Sequence, residues 1–168
     1  DRHIPLLIKV CKKIITSNKN IKVAIGLAPG ITLNQTPEEI SLIENSNTHQ
    51  LLAASDILLT ASGTATLEAA ILGVPMAVMY KLNPISWLLS KWVIKIKHIA
   101  LPNIIFNKTV VPEFVQSSAN PDAIINYVQK LIDDETFRDS TSSQLRNIKN
   151  MLGKPGASDR AADKILNG

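Results

Sequence analysis

Ala54-Ser55-Asp56-Ile57-Leu58-Leu59-Thr60-Ala61-Ser62-Gly63-Thr64-Ala65-Thr66-Leu67-Glu68-Ala69-Ala70 decides the fold. The run from Asp56 to Thr60 predicts a buried strand, and the small residues Ala61-Ser62-Gly63 predict a turn. Thr64 to Leu72 then predicts a helix, closed by Gly73. In an open α/β sheet, such a turn lies beyond the C-terminal ends of the strands, where ligands bind. Gly63 lets a ligand approach the backbone closely, and the amides of Thr64, Ala65 and Thr66 at the helix start can face an anion. The hydroxyls of Ser62 and Thr64 add donors, so a diphosphate is the natural guest. Glu68 lies one turn further, on the face of Thr64, and suits the two hydroxyls of a ribose. A surface glutamate favouring the helix N-terminus by its charge is the other reading of that residue. A capping box needs Ser or Thr three residues earlier, where Ala65 stands.

Outward from this stretch, strands and helices alternate. Leu6, Leu7, Val10, Ile14 and Ile15 have near-helical spacing, and Ile21 to Leu27 reads as a short strand ended by Ala28-Pro29-Gly30. Thr36-Pro37-Glu38-Glu39 fits the opening of a helix, but Ile40 to Ile43 is read by preference as a strand, His49 to Ser55 as a helix, and Val74 to Tyr80 contains another strand. Asn83 to Lys97 is a long amphipathic helix, and His98 to Leu101 a short strand or extended segment. Helices follow at about Pro121–Asp133, Glu135–Leu152 and Gly156–Leu166. The alternation implies one Rossmann-like α/β domain over residues 1–168, with a parallel sheet and helices on both faces. The passage Ile31–Glu44 is short for a strand-helix-strand connection.

Composition narrows the function classes. With 45% hydrophobic and 19% charged residues in 168, the chain is a folded globular domain, and with 4% aromatics its core is mainly aliphatic. The net charge of +4 is mild, and neither aromatic recognition motifs nor a long basic run points to nucleic acid. Cys11 is the single cysteine, so no disulfide forms within the chain, in keeping with a reducing cytoplasm. His3, His49 and His98 have no ligand spacing, and no metal site is expected. Ser62 lacks the Gly-x-Ser-x-Gly setting of a hydrolase nucleophile. No uncharged apolar run is long enough to span a bilayer. In the helix from Asn83 to Lys97, Ile85, Leu88, Leu89, Trp92, Val93 and Ile96 form the expected core stripe. Trp87, Lys91, Ile94 and Lys95 lie opposite, suited either to an anionic membrane surface or to burial against another domain or subunit.

Ser62-Gly63-Thr64-Ala65-Thr66-Leu67-Glu68, followed by Pro75-Met76 and Tyr80-Lys81, resembles the signature of lipid-A-disaccharide synthases. Leu101-Pro102-Asn103, Val111-Pro112-Glu113-Phe114-Val115-Gln116 and the closing Leu152-Gly153-Lys154-Pro155-Gly156-Ala157-Ser158-Asp159-Arg160-Ala161-Ala162 extend the resemblance, in order, through essentially the whole chain. The resemblance implies the C-terminal, UDP-binding half of a two-domain GT-B glycosyltransferase. That family transfers 2,3-diacylglucosamine from UDP-2,3-diacylglucosamine to 2,3-diacylglucosamine 1-phosphate, in lipid A biosynthesis, with inversion and without a metal or other cofactor. By position, Ser62, Gly63, Thr64 and Ala65 would line the diphosphate and donor sugar, Glu68 would accept from the ribose, and Asn103 would hold part of the nucleotide. Lys81 stands where the family often has Arg; it can offset phosphate charge without the planar fork. Glu113 is either a helix-start residue or a pocket residue.

The resemblance also implies an N-terminal acceptor domain carrying the catalytic acidic residue, and a Gly-Ser-Arg loop just before the first helix. Asp1, with no initiator methionine, is expected to stand just beyond that loop, so this chain alone would be inactive or nearly so. The implied location is the cytoplasm, peripheral on the inner membrane of a Gram-negative bacterium. Another UDP-sugar GT-B transferase or an epimerase of the same architecture is the rival enzyme reading. A nucleotide-binding or membrane-docking module without catalysis is the rival of a different class.

Overall fold

The computed structural model describes residues 3–27, 33, 36–43, 48–81, 83, 97–154 and 156–167. The helix expected over Asn83–Lys97, with Trp87 and Ile94, lies almost wholly outside the described residues, as does most of 28–35.

Helix α1 (Ile4–Ser17) places Leu6, Val10, Cys11 and Ile14 on its buried face, at the three-to-four spacing of one helical side. Strand β1 (Val23–Gly26) pairs in parallel with β2 (Ile40–Ile43), and α2 (Thr48–Ala53) follows. A second parallel ladder has the order β3 (Leu58–Ala61), β4 (Met76–Tyr80), β5 (Glu113–Val115), with α3 (Thr64–Leu72) connecting β3 to β4. Helix α4 (Leu101–Phe106) precedes β5, and a 3₁₀ turn over Gln116–Ser118 follows it. The chain continues through α5 (Pro121–Asp133), α6 (Glu135–Arg146), α7 (Ile148–Met151) and α8 (Ala157–Leu166).

Strand β4 is the centre of the domain. Met76 and Val78 belong to one apolar cluster, with Ala69 and Ala70 of α3, Leu145 of α6 and Ile148 of α7. Met79 belongs to the other, with Leu6, Val10 and Ile14 of α1 and Ile124 and Val128 of α5. Alternate side chains thus serve opposite faces, and helices cover both, as a parallel sheet requires. The α/β class, the parallel pairing and the two-sided helical cover agree with the sequence reading, and the architecture is that of a Rossmann-like half of a GT-B fold. Among the described residues no ladder joins β2 or β1 to β3, and no helix is long and apolar enough to cross a membrane.

Four elements differ from the sequence expectations. All four residues of β3 are only half-buried, because β3 is the outer strand of its ladder. Of the short strand or extended segment expected over His98–Leu101, the extended form holds as far as Ala100, and a helix that was not expected, α4, begins at Leu101, with Pro102 in its first turn, where the missing N–H costs nothing. Glu113 opens β5, opposite Val78 in the register. The helix expected over Glu135–Leu152 is interrupted at Asn147.

Candidate functional site

The turn after β3 is built so that one side is occupied by protein and the other is open. Gly63 has φ 168° and ψ −170°, extended backbone that any residue adopts. A Cβ built at Gly63 would meet nothing within 4 Å. Neither backbone strain nor crowding therefore demands glycine there; Gly63 serves as the N-cap of α3 and leaves a smooth surface for an incoming group. Gly63 and Thr64 are exposed, and among the described residues the amides of Thr64 and Ala65 have no hydrogen-bond partner.

Thr66 departs from the sequence reading. Its N–H donates to the Gly63 carbonyl at 3.1 Å and its hydroxyl donates to the same oxygen at 2.7 Å. Fully buried, Thr66 tightens the first turn of α3 and offers nothing to an anion. The Ser62 hydroxyl gives its proton to the Ile99 carbonyl at 2.8 Å, so it is not a free donor either. Glu68 is exposed on α3, one turn beyond Thr64, with no ion pair among the described residues.

Behind the turn stands a polar cluster that sequence reasoning only half found. Asn103 is completely buried. Its Nδ2 donates to the Val111 carbonyl and to Glu113 Oε1, both at 2.8 Å. Its Oδ1 accepts from the amides of Val110 at 2.7 Å and Val111 at 3.0 Å. Both donors and both acceptor positions of the amide are filled, so Asn103 faces the protein interior and not a ligand. The Glu113 carboxylate also accepts from the Ile99 amide, at 2.9 Å to Oε2, and from the Ala100 amide, at 2.9 Å to Oε1. It sits at the N-terminus of α4, where negative charge is favoured by the helix dipole. Ser62, Ile99, Asn103 and Glu113 thus form one connected network. It locks segment 99–103 to the turn after β3 and to the start of β5. Two residue groups far apart in sequence, Leu101-Pro102-Asn103 and Val111-Pro112-Glu113, act as one scaffold.

Lys81 follows the C-terminal end of β4 and is half-buried. Its main-chain N–H donates to Nε2 of His3 at 3.0 Å, tying the start of α1 to this edge of the sheet. The His3 ring also lies 6.5 Å from the Tyr80 ring, centroid to centroid. Burial, then the positive charge of Lys81, lowers the His3 pKa below its ordinary value. No spacing rule in the sequence could have joined His3 to Lys81. His98 is buried, and among the described residues its Nε2 has no partner.

The chain matches the family model described as lipid-A-disaccharide synthetase over residues 1–164. It belongs to that family. A lipid-A-disaccharide synthase of Syntrophus aciditrophicus is 35% identical over 98% of this chain and 45% of its own length. One from Anaeromyxobacter dehalogenans is 31% identical over 98% of the chain and 45% of its own length. A third, from Nitrosococcus oceani, is 33% identical over 90% of the chain and 41% of its own length. The chain therefore spans less than half the length of these family members.

Proposed function

We propose that this chain is the donor-binding half of a lipid-A-disaccharide synthase and holds the UDP part of UDP-2,3-diacylglucosamine. The observation that carries the reading is the turn at Gly63. Its glycine is required by neither a strained backbone nor crowding, and it opens onto the amides of Thr64 and Ala65 at a helix start, which have no partner among the described residues. Gly63, Thr64 and Ala65 then line the diphosphate and donor sugar, Glu68 accepts from the ribose hydroxyls, and Lys81 offsets phosphate charge. Ser62 and Asn103 serve the same site from behind, by holding the turn and segment 99–103 in place.

In the reaction so proposed, a hydroxyl of 2,3-diacylglucosamine 1-phosphate attacks the anomeric carbon while the bond to the UDP oxygen breaks, inverting the centre. The hydroxyl proton goes to a base in the acceptor domain, outside this chain. The amides of Thr64 and Ala65 and the Lys81 ammonium stabilise the negative charge that grows on the departing diphosphate. No metal is assigned to this step. Diacylated substrates reside in a membrane, so the reading places the protein on the cytoplasmic face of the inner membrane.

A transfer assay with the full-length protein tests the proposal. Formation of disaccharide 1-phosphate and UDP from the two acylated sugars supports it. Transfer of unacylated sugar nucleotides with no preference for the acylated donor favours another UDP-sugar transferase. Nucleotide binding without any turnover favours the non-catalytic module.

A further inference from the structure

Lys81 is half-buried just beyond the C-terminal end of the central strand β4, and a flexible ammonium there serves a diphosphate best if its main chain is held. The bond that holds it comes from 78 residues away, from the imidazole of His3. Nε2 accepts the Lys81 N–H, so the ring must be neutral, with its proton on Nδ1. The same ring stands beside Tyr80, the last residue of β4, and belongs to the residue that leads into α1. The face of α1 beyond it is buried against α5 and the sheet, so the imidazole is anchored by a packed helix and not by a loop.

We propose that His3 is a positioning residue, whose neutral imidazole clasps the Lys81 main chain and so sets Lys81 against the diphosphate of the donor. The proposal rests on the nucleotide reading above. A protonated imidazole has no acceptor at Nε2 and would point an N–H at the Lys81 N–H. The clasp therefore holds at neutral pH and opens as pH falls through the His3 pKa. Burial and then the Lys81 charge favour the neutral ring. The opening thus falls below the ordinary histidine value of about 6.5.

The test uses the full-length protein, with UDP-N-acetylglucosamine as the probe, because its diphosphate does not titrate over this range. Wild type, His3→Gln and His3→Ala are titrated at pH 7.5 and pH 5. A glutamine carbonyl replaces the Nε2 acceptor and does not protonate. One hydrogen bond corresponds to about threefold to tenfold in affinity. Wild type should lose that factor between the two pH values relative to His3→Gln, and His3→Ala should show the loss already at pH 7.5. Parallel profiles for wild type and His3→Gln would overturn the inference. The ¹H–¹⁵N signal of the Lys81 amide gives a readout without ligand: it should titrate in wild type and stay fixed in His3→Gln. A Lys81 amide that does not titrate overturns the clasp, whereas absence of probe binding by wild type at pH 7.5 overturns the nucleotide reading itself.

Discussion

Asn103→Asp separates a scaffold residue from a ligand contact, because it conserves shape and exchanges only the donor group. The Nδ2 of Asn103 lies 2.8 Å from Glu113 Oε1. An ionised carboxylate introduced at position 103 would therefore meet a second carboxylate at hydrogen-bond distance. With an effective dielectric of about 20, two unit charges at that separation repel by about 6 kcal/mol. The pair can instead take up one proton. For a carboxyl of ordinary pKa near 4, this costs about 4 kcal/mol at pH 7, and the cheaper route governs. Even then the introduced group has one donor where Asn103 had two, leaving the Val111 carbonyl short for about another 1 kcal/mol. The total is about 5 kcal/mol at neutral pH. The folded pair holds a proton that the unfolded chain does not, so the penalty grows with rising pH and shrinks as pH falls towards 4. Denaturant unfolding of variant and wild type at pH 7 and pH 4.5 reads it, with an expected difference of about 5 kcal/mol shrinking to about 1–2 kcal/mol. A penalty below about 1 kcal/mol at pH 7, or one that does not change with pH, would refute the reasoning. It would return Asn103 to an open position facing a ligand.

Three further outcomes follow from named positions. Gly63→Val should cost no more than about 1 kcal/mol of stability, as a poorer N-cap for α3 whose Cβ meets no protein atom, yet weaken UDP binding by about tenfold or more. A matched loss of stability would show that the turn needs glycine for itself. Gly73→Ala should destabilise by about 1–2 kcal/mol by chemical unfolding, because φ is +77° there and a Cβ would collide with the Arg146 side chain. Cys11 is buried on α1 and its thiol is pushed up to about 11. Iodoacetamide at pH 8 should therefore label it only as fast as the protein unfolds, and rapid labelling of native protein would show that α1 packs differently.

The parts of the fold legible in the sequence were those with a period or a stop signal. Strand β4, announced by Gly73 and Pro75 just before it, and helix α1, with its regular apolar stripe, emerged where expected. Helix α4 did not, because Leu-Pro reads as an extended or turn dipeptide and a six-residue helix leaves little periodicity to detect. Strand β5 has three residues and begins with a glutamate, which local propensity places in a loop or at a helix start. The open half of the candidate site, Gly63, Thr64 and Glu68, was readable as strand, turn and helix. Its supporting half was not. The interior position of Asn103, and the direction of the Ser62 hydroxyl, depend on partners 8 to 37 residues away that only the fold brings together. Fold also explains why the Thr66 amide is closed to an anion: its donor turns back onto Gly63 within the same first turn.

Calorimetric titration of UDP into the full-length protein and its Glu68→Ala variant tests the central claim most directly. Glu68 is exposed and has no ion pair among the described residues, so its removal should not disturb the fold. Loss of a charged hydrogen-bond partner to the ribose should weaken binding by roughly 1.5–3 kcal/mol, on the order of tenfold or more. UDP binding that falls by that factor is the predicted result. Equal affinity for both proteins would remove Glu68 from the site, and no binding by either would contradict the assignment of the Gly63 turn to the nucleotide.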